Sequence, residues 1–199
     1  MSLLDGNHGV VKKTSSSSKF SEEICLEISK SYHSAISDKG EFNFCLSGGS
    51  TPLLIFEKLL SDKFKINWNL VNFFWLDERF VPHSSNESNF GNAKRSFIDF
   101  IKPKKVYPIN FGKKIEACSS EYNTLLKEKL PLDSFGTPIF DLILLGFGLD
   151  GHLASIFPGS EANRIDDKFC ISVLDTPFNE NRITLTFPLI NNSNKNILM

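Results

Sequence analysis

Phe140-Asp141-Leu142-Ile143-Leu144-Leu145 (FDLILL) is an apolar run that does not alternate, and the glycine-rich Gly146-Phe147-Gly148 follows it at once. A strand with one wet face would alternate, so this run predicts a strand buried on both faces, as in the middle of a parallel sheet. Glu41 to Leu46 (EFNFCL) and Leu70 to Leu76 (LVNFFWL) read the same way. Helical patterns separate them. Ile24, Ile28, Tyr32 and Ile36 recur every four residues from Ser21, and Gly40 stands where a left-handed helix stop is common. A second helix is expected to open with Pro52 at its first position and to bury Leu53, Phe56, Leu59 and Leu60. Phe90 to Ile101, through Ala93, Phe97 and Ile101, and Ile115 to Leu130 supply two more.

This alternation of strand and helix predicts an α/β fold: an open, mostly parallel, doubly wound (Rossmann-like) sheet with helices on both faces. Outside the main pattern, Val10 and Val11 suggest a first strand, Ser15 to Ser18 a loop, and Ile197-Leu198-Met199 the start of a last strand after Asn191 to Asn196. No fixed-period repeat or low-complexity linker divides the chain, so one domain over 1–199 is expected.

Composition narrows the function classes. The 199 residues are 41% hydrophobic, with 22 basic against 23 acidic side chains and a net charge of −1. A nucleic-acid binder normally carries a basic excess, so no nucleic-acid partner is expected. No stretch reaches the roughly 18 apolar residues of a membrane span, and Met1 to Lys19 has no continuous apolar segment, so no membrane partner and a cytoplasmic location are expected. Cys25, Cys45, Cys118 and Cys170 form no CxxC pair, which suggests buried free thiols rather than a disulfide framework or a zinc site. Phe supplies 19 of the aromatic residues, so a Phe-filled core is expected.

Three stretches could carry chemistry. Ser47-Gly48-Gly49-Ser50-Thr51-Pro52 follows a strand and opens a helix, so its backbone N–H groups can cradle a phosphate, with the Ser50 and Thr51 hydroxyls adding donors. A capped tight turn fits the same letters, and the Lys of a nucleotide-triphosphate loop is absent. Asp77-Glu78-Arg79 follows LVNFFWL, where ligands of open α/β sheets sit, although two acids and an arginine also suit a solvated loop. Arg79 offers fixed bidentate donors to phosphate or to a developing oxyanion. Gly148-Leu149-Asp150-Gly151-His152 sets an acid two residues from an imidazole, a side chain suited to general-base work near neutral pH. Gly146, Gly148 and Gly151 also spell GxGxxG, but Asp150 would put a negative charge where a pyrophosphate should lie. No G-x-S-x-G elbow occurs, so a serine nucleophile is not expected and Ser155 reads as a helix cap.

Five blocks in order, LSGGSTP (46–52), WLDERFVP (75–82), ESNFGNAK (87–94), LGFGLDGHLASIFPGS (145–160) and NRITLTFPLINN (181–192), resemble the 6-phosphogluconolactonase family, within a superfamily that includes glucosamine-6-phosphate deaminases. The resemblance implies hydrolysis of 6-phospho-D-glucono-1,5-lactone in the oxidative pentose phosphate pathway, with no cofactor and no metal. It implies His152 as general base, Asp150 or Asp77 orienting it, and Arg79 on the phosphate or the oxyanion. Ser47, Gly48, Gly49, Ser50 and Thr51 would hold the 6-phosphate, with Arg182 as a second cationic contact. It also implies that the family's last strand and helix lie beyond Met199. Two alternatives stand beside it: deamination of glucosamine 6-phosphate, opposed by Phe157 where deaminases carry a glutamate, and a non-catalytic sugar-phosphate-binding module. The oligomeric state is not legible.

Overall fold

The computed structural model describes residues 9–174, 176–178 and 180–199. The first helix, α1 (Ser17–Lys39), starts at Ser16, whose Oγ accepts from the Lys19 backbone N–H, and stops at Gly40 in the left-handed conformation. Ser17 and Ser18 therefore belong to the helix, and the expected serine loop is shorter than the polar letters suggested. Val10 and Val11 form no strand and are exposed.

In chain order there follow β1 (Phe42–Leu46), α2 (Ser50–Leu59), β2 (Val71–Trp75), β3 (Asp77–Arg79), α3 (Asn89–Ser96), β4 (Lys105–Tyr107) and α4 (Ile115–Lys129). The chain continues with β5 (Leu142–Leu145), β6 (Cys170–Val173), β7 (Arg182–Leu185), α5 (Phe187–Asn191) and β8 (Asn196–Leu198). Two expected boundaries and one buried face differ. Gly49 caps α2, so Pro52 is its third residue rather than its first, a place where a missing N–H is still harmless. Its buried face is Pro52, Ile55, Phe56 and Leu59, while Leu53 and Leu60 lie on the wet side. The segment expected as one helix from Phe90 to Ile101 breaks after α3 into a 3-10 turn, Ile98–Phe100.

Five strands form a parallel sheet in the order β4-β2-β1-β5-β8. The chain starts in the middle, winds outward through β2 and β4, then returns to the other side of β1 to lay down β5 and β8. The order therefore reverses between β1 and β5, and a crevice opens beyond their carboxyl ends. Every residue of β1, β2 and β5 is buried, as their largely apolar, non-alternating runs predict, and Asn43 and Asn72 in β1 and β2 are buried with them, Asn72 Nδ2 donating to Asn43 Oδ1 at 2.9 Å. Phe42, Phe44, Phe56, Phe73, Phe74, Phe97 and Phe140 lie fully buried with Trp75, so the core is indeed filled by Phe. Asp141 pins β5 to β1 at the opposite end of the strands. Its buried carboxylate accepts from the Asn43 backbone N–H at 2.7 Å and pairs with Lys39 at 2.9 Å.

A second, antiparallel sheet of order β3-β7-β6 was not foreseen. Asp77-Glu78-Arg79 is one of its strands, with Asp77 and Glu78 buried, so the solvated-loop reading fails there. All four cysteines are free and buried. Burial pushes the Cys25 thiol up to about 12 and raises those of Cys45 and Cys170 as well. No helix among the described residues is long and apolar enough to cross a membrane.

Candidate functional site

A cleft of about 220 Å³ lies at the reversal point of the sheet. Its floor is the loop after β1, Ser47 to Thr51, and its side is the loop after β5, where Gly146, Phe147, Gly148 and His152 line it. Asp77 and Arg79 enter from β3 and Arg182 from β7. The structure thus brings together nine of the ten residues singled out in the sequence, and the tenth, Asp150, reaches the cleft through His152.

Gly49 carries φ +103, a conformation L side chains rarely adopt, and this lets the chain pass directly from β1 into α2. Neither Ser50 nor Thr51 caps the helix by a side-chain hydrogen bond. The first N–H groups of α2 therefore stay available at the positive end of the helix dipole, on the floor of the cleft.

His152 Nδ1 donates to Asp150 Oδ1 at 2.5 Å. That bond fixes the tautomer: Nδ1 carries the proton and Nε2 is left as an acceptor. The His152 bond in turn lowers the Asp150 carboxyl below its ordinary value. Between Asp77 and Asp150, it is Asp150 that holds the imidazole. A Cβ on Gly148 would collide with both the imidazole and the Asp150 carboxylate, so only glycine leaves room for this pair.

Asp77 does other work. Its Oδ2 accepts from Ser155 Oγ at 2.7 Å and its Oδ1 from Asn89 Nδ2 at 3.2 Å. Ser155 is fully buried and caps no helix, contrary to expectation, because its hydroxyl is committed to this carboxylate. Arg79 Nη1 donates to the Glu87 carbonyl at 2.7 Å. Arg182 is only 4% exposed, so it is not a surface charge at a strand end. It pairs with Glu180, and its guanidinium lies 5.6 Å from the Phe157 ring and 5.0 Å from the Phe178 ring.

Three contributors escaped the sequence reading. Asn89 lines the cleft and packs so tightly against Gly48 that a Cβ there would collide with its amide. Ser155 is the second. Glu78, read as one of two charges in a loop, accepts from the Asn89 and Phe90 backbone N–H groups at 2.6 and 2.8 Å and from Ser88 Oγ at 3.0 Å. It thereby anchors the start of α3, and burial raises its carboxyl to about 7 against the pull of those donors. No group of three or more His, Cys, Asp or Glu among the described residues could hold a metal ion.

The model of one protein family, described as glucosamine-6-phosphate isomerases/6-phosphogluconolactonase, matches residues 15–199. The chain belongs to this family. It is 38% identical over 188 residues to 6-phosphogluconolactonase 3, chloroplastic, of Arabidopsis thaliana, a match covering 86% of this chain and 57% of that relative. It is 36% identical over 154 residues to the 6-phosphogluconolactonase of Treponema pallidum, covering 75% and 63% respectively. The chain thus spans little more than half the length of these curated relatives. Among solved structures, the 6-phosphogluconolactonase of Trypanosoma brucei superposes with a TM-score of 0.83 at 27% identity over 92% of this chain and 78% of that one. That of Leishmania guyanensis gives 0.84 at 26% identity over 94% and 79%. The fold and the family membership expected from the sequence both hold.

Proposed function

We propose that this protein hydrolyses 6-phospho-D-glucono-1,5-lactone to 6-phosphogluconate, a step of the oxidative pentose phosphate pathway. The observation that carries the reading is the Asp150–His152 pair on one side of a cleft whose floor is the helix-opening loop Ser47 to Thr51. A base and an anion cradle facing one crevice suit a substrate with an electrophilic carbonyl at one end and a phosphate at the other.

In this reading the 6-phosphate rests on the N–H groups of the Ser47 to Thr51 loop, with Arg182 as a cationic contact. His152 Nε2 takes a proton from a water molecule, and the resulting hydroxide adds to C1. Asp150 keeps the imidazole in its accepting tautomer and offsets the positive charge that forms on it. Arg79 neutralises the oxyanion on C1 or shares the phosphate. Collapse of the tetrahedral adduct breaks the bond between C1 and the ring oxygen, which receives the proton from His152. The C1 acid then ionises. A lactone is an activated ester, so one oriented base, worth about 10²- to 10⁴-fold, together with positioning is enough to speed its opening.

The family also contains glucosamine-6-phosphate isomerases, but two observations favour the lactone. The relatives reported above are named as 6-phosphogluconolactonases. Phe157, at the position where deaminases resemble this chain but carry an acid, is a buried ring packed beside His152 and Arg182. The test is a coupled assay with freshly generated lactone, corrected for spontaneous opening, run beside an ammonia assay with glucosamine 6-phosphate. Lactone turnover without ammonia release is expected. Ammonia release, or no acceleration of lactone opening, would overturn the reading.

A further inference from the structure

The turn that carries His152 also carries Ser155, three residues on, closed by an Ile156 N–H to Leu153 carbonyl bond of 2.8 Å. Ser155 has no solvent-exposed surface, yet its hydroxyl lies between two buried charges. Its Oγ donates to Asp77 Oδ2 at 2.7 Å and accepts from Arg182 Nη1 at 3.4 Å. Its backbone N–H donates to Thr184 Oγ1 at 3.2 Å, which ties the turn to β7 two residues from Arg182. A buried carboxylate and a buried guanidinium would ordinarily pair directly and bidentately. Here one hydroxyl stands between them.

We infer that Ser155 is a positioning residue: its hydroxyl is a spacer that keeps Asp77 from capturing Arg182 and holds the guanidinium turned toward the cleft, so that it can bind the substrate's phosphate. The inference rests on the proposed function only in naming that phosphate. The other contacts of Arg182 fit this role. Phe157 and Phe178, with ring centroids 5.9 Å apart, cover the guanidinium and leave its edges for hydrogen bonds. Glu180 takes Nη2 and Ser155 takes Nη1, while Nε is buried with no partner among the described residues. Rotation of the group within its aromatic slot is therefore controlled at Nη1 by a neutral oxygen rather than by a second carboxylate. Asp77 stays in place because Asn89 Nδ2 holds both its Oδ1 and its backbone carbonyl, at 3.2 and 3.0 Å. Without the spacer, Asp77 Oδ2 loses its donor, and Arg182, whose Nη1 lies 3.4 Å from the hydroxyl that bonds this carboxylate, is a cation placed to replace it.

The experiment compares wild type, Ser155→Ala and Ser155→Cys in three measurements: calorimetric titration with inorganic phosphate and with 6-phosphogluconate, steady-state hydrolysis of the phosphorylated lactone, and hydrolysis of unphosphorylated glucono-1,5-lactone. Ser155→Ala is expected to weaken binding of both anions about tenfold and to raise KM for the phosphorylated lactone by a similar factor, with a much smaller change in kcat. Unphosphorylated lactone should lose less than about twofold in kcat/KM. Ser155→Cys, which keeps the volume and a weak donor, should fall between wild type and alanine and serves if the alanine variant does not fold. Unchanged phosphate affinity, or equal losses with the two lactones, would overturn the inference. Absence of lactone turnover in wild type would reject the proposed function alone, since the phosphate titration decides the role of Ser155 by itself.

Discussion

Arg79 and Arg182 are direct partners across the antiparallel β3–β7 ladder, and both line the cleft. Like charges placed opposite one another on neighbouring strands repel. Glu180 pairs with Arg182, but Glu87 approaches Arg79 only to 3.9 Å and is itself exposed, so the repulsion is only partly relieved. An anion between the two guanidinium groups would relieve it.

Inorganic phosphate is therefore expected to stabilise the folded protein, by about 2.7 kcal/mol at a concentration 100 times its dissociation constant. The gain should shrink as sodium chloride is raised and should largely vanish in Arg182→Ala. Thermal melts with and without phosphate check this, and an Arg182→Ala protein stabilised as much as wild type would refute it.

His152→Ala should lower kcat about 10²- to 10⁴-fold and change the affinity for 6-phosphogluconate by less than about threefold. Asp150→Asn retains the side chain's shape but can present an amide N–H to the imidazole, which favours the wrong tautomer. A loss of at least about tenfold in kcat is expected for it, measured with the same corrected lactone assay.

Gly148→Ala tests the same pair by crowding it. Because a Cβ at this position collides with both partners, the variant should lose about tenfold or more in kcat. Gly148 lies in a partly exposed loop, so the urea midpoint should move little. Full activity in this variant would mean that the imidazole works from another position.

Two carboxylates predict opposite pH responses of stability. Glu27 is lowered to about 2, first by its bond from Lys195 and then by Lys30. A carboxyl that is more acidic when folded contributes stability above its ordinary 4.5, and this is lost as the pH falls toward 2. The side chain is partly exposed, so solvent screening reduces the effect to about 1–2 kcal/mol. Glu78, raised to about 7, contributes stability that is present below 4.5 and is lost as the pH rises through 7. Urea unfolding from pH 2.5 to 8 should show the acid-side loss shrink in Glu27→Gln, with the remainder left to other lowered carboxyls such as Glu41, and the decline toward neutral pH flatten in Glu78→Gln.

Three of the five parallel strands were legible because they announce themselves locally: FNFCL and VNFFW are apolar but for one Asn each, LILL is apolar throughout, and all three lie between helical repeats, whereas the short edge strand Lys105–Tyr107 carries no such run. The cleft was legible for the same reason, since glycines directly after β1 and β5 mark where the chain must turn under a ligand. The second sheet was not. A three-residue strand of Asp, Glu and Arg carries no hydrophobic pattern, and its partner β7 begins more than 100 residues later, so only tertiary pairing reveals it. Ser155 and Asn89 escaped for a related reason: their work consists of contacts with Asp77, 78 and 12 residues away in sequence, and no local spacing encodes these.

The buried thiols carry a last implication. Catalysts that depend on an accessible sulfur stop working when peroxide or an electrophile reaches it. Here every sulfhydryl is shut inside the packed interior, so such reagents find no quick target and must wait for the fold to open. How fast a maleimide silences this protein would therefore measure how often the molecule comes apart.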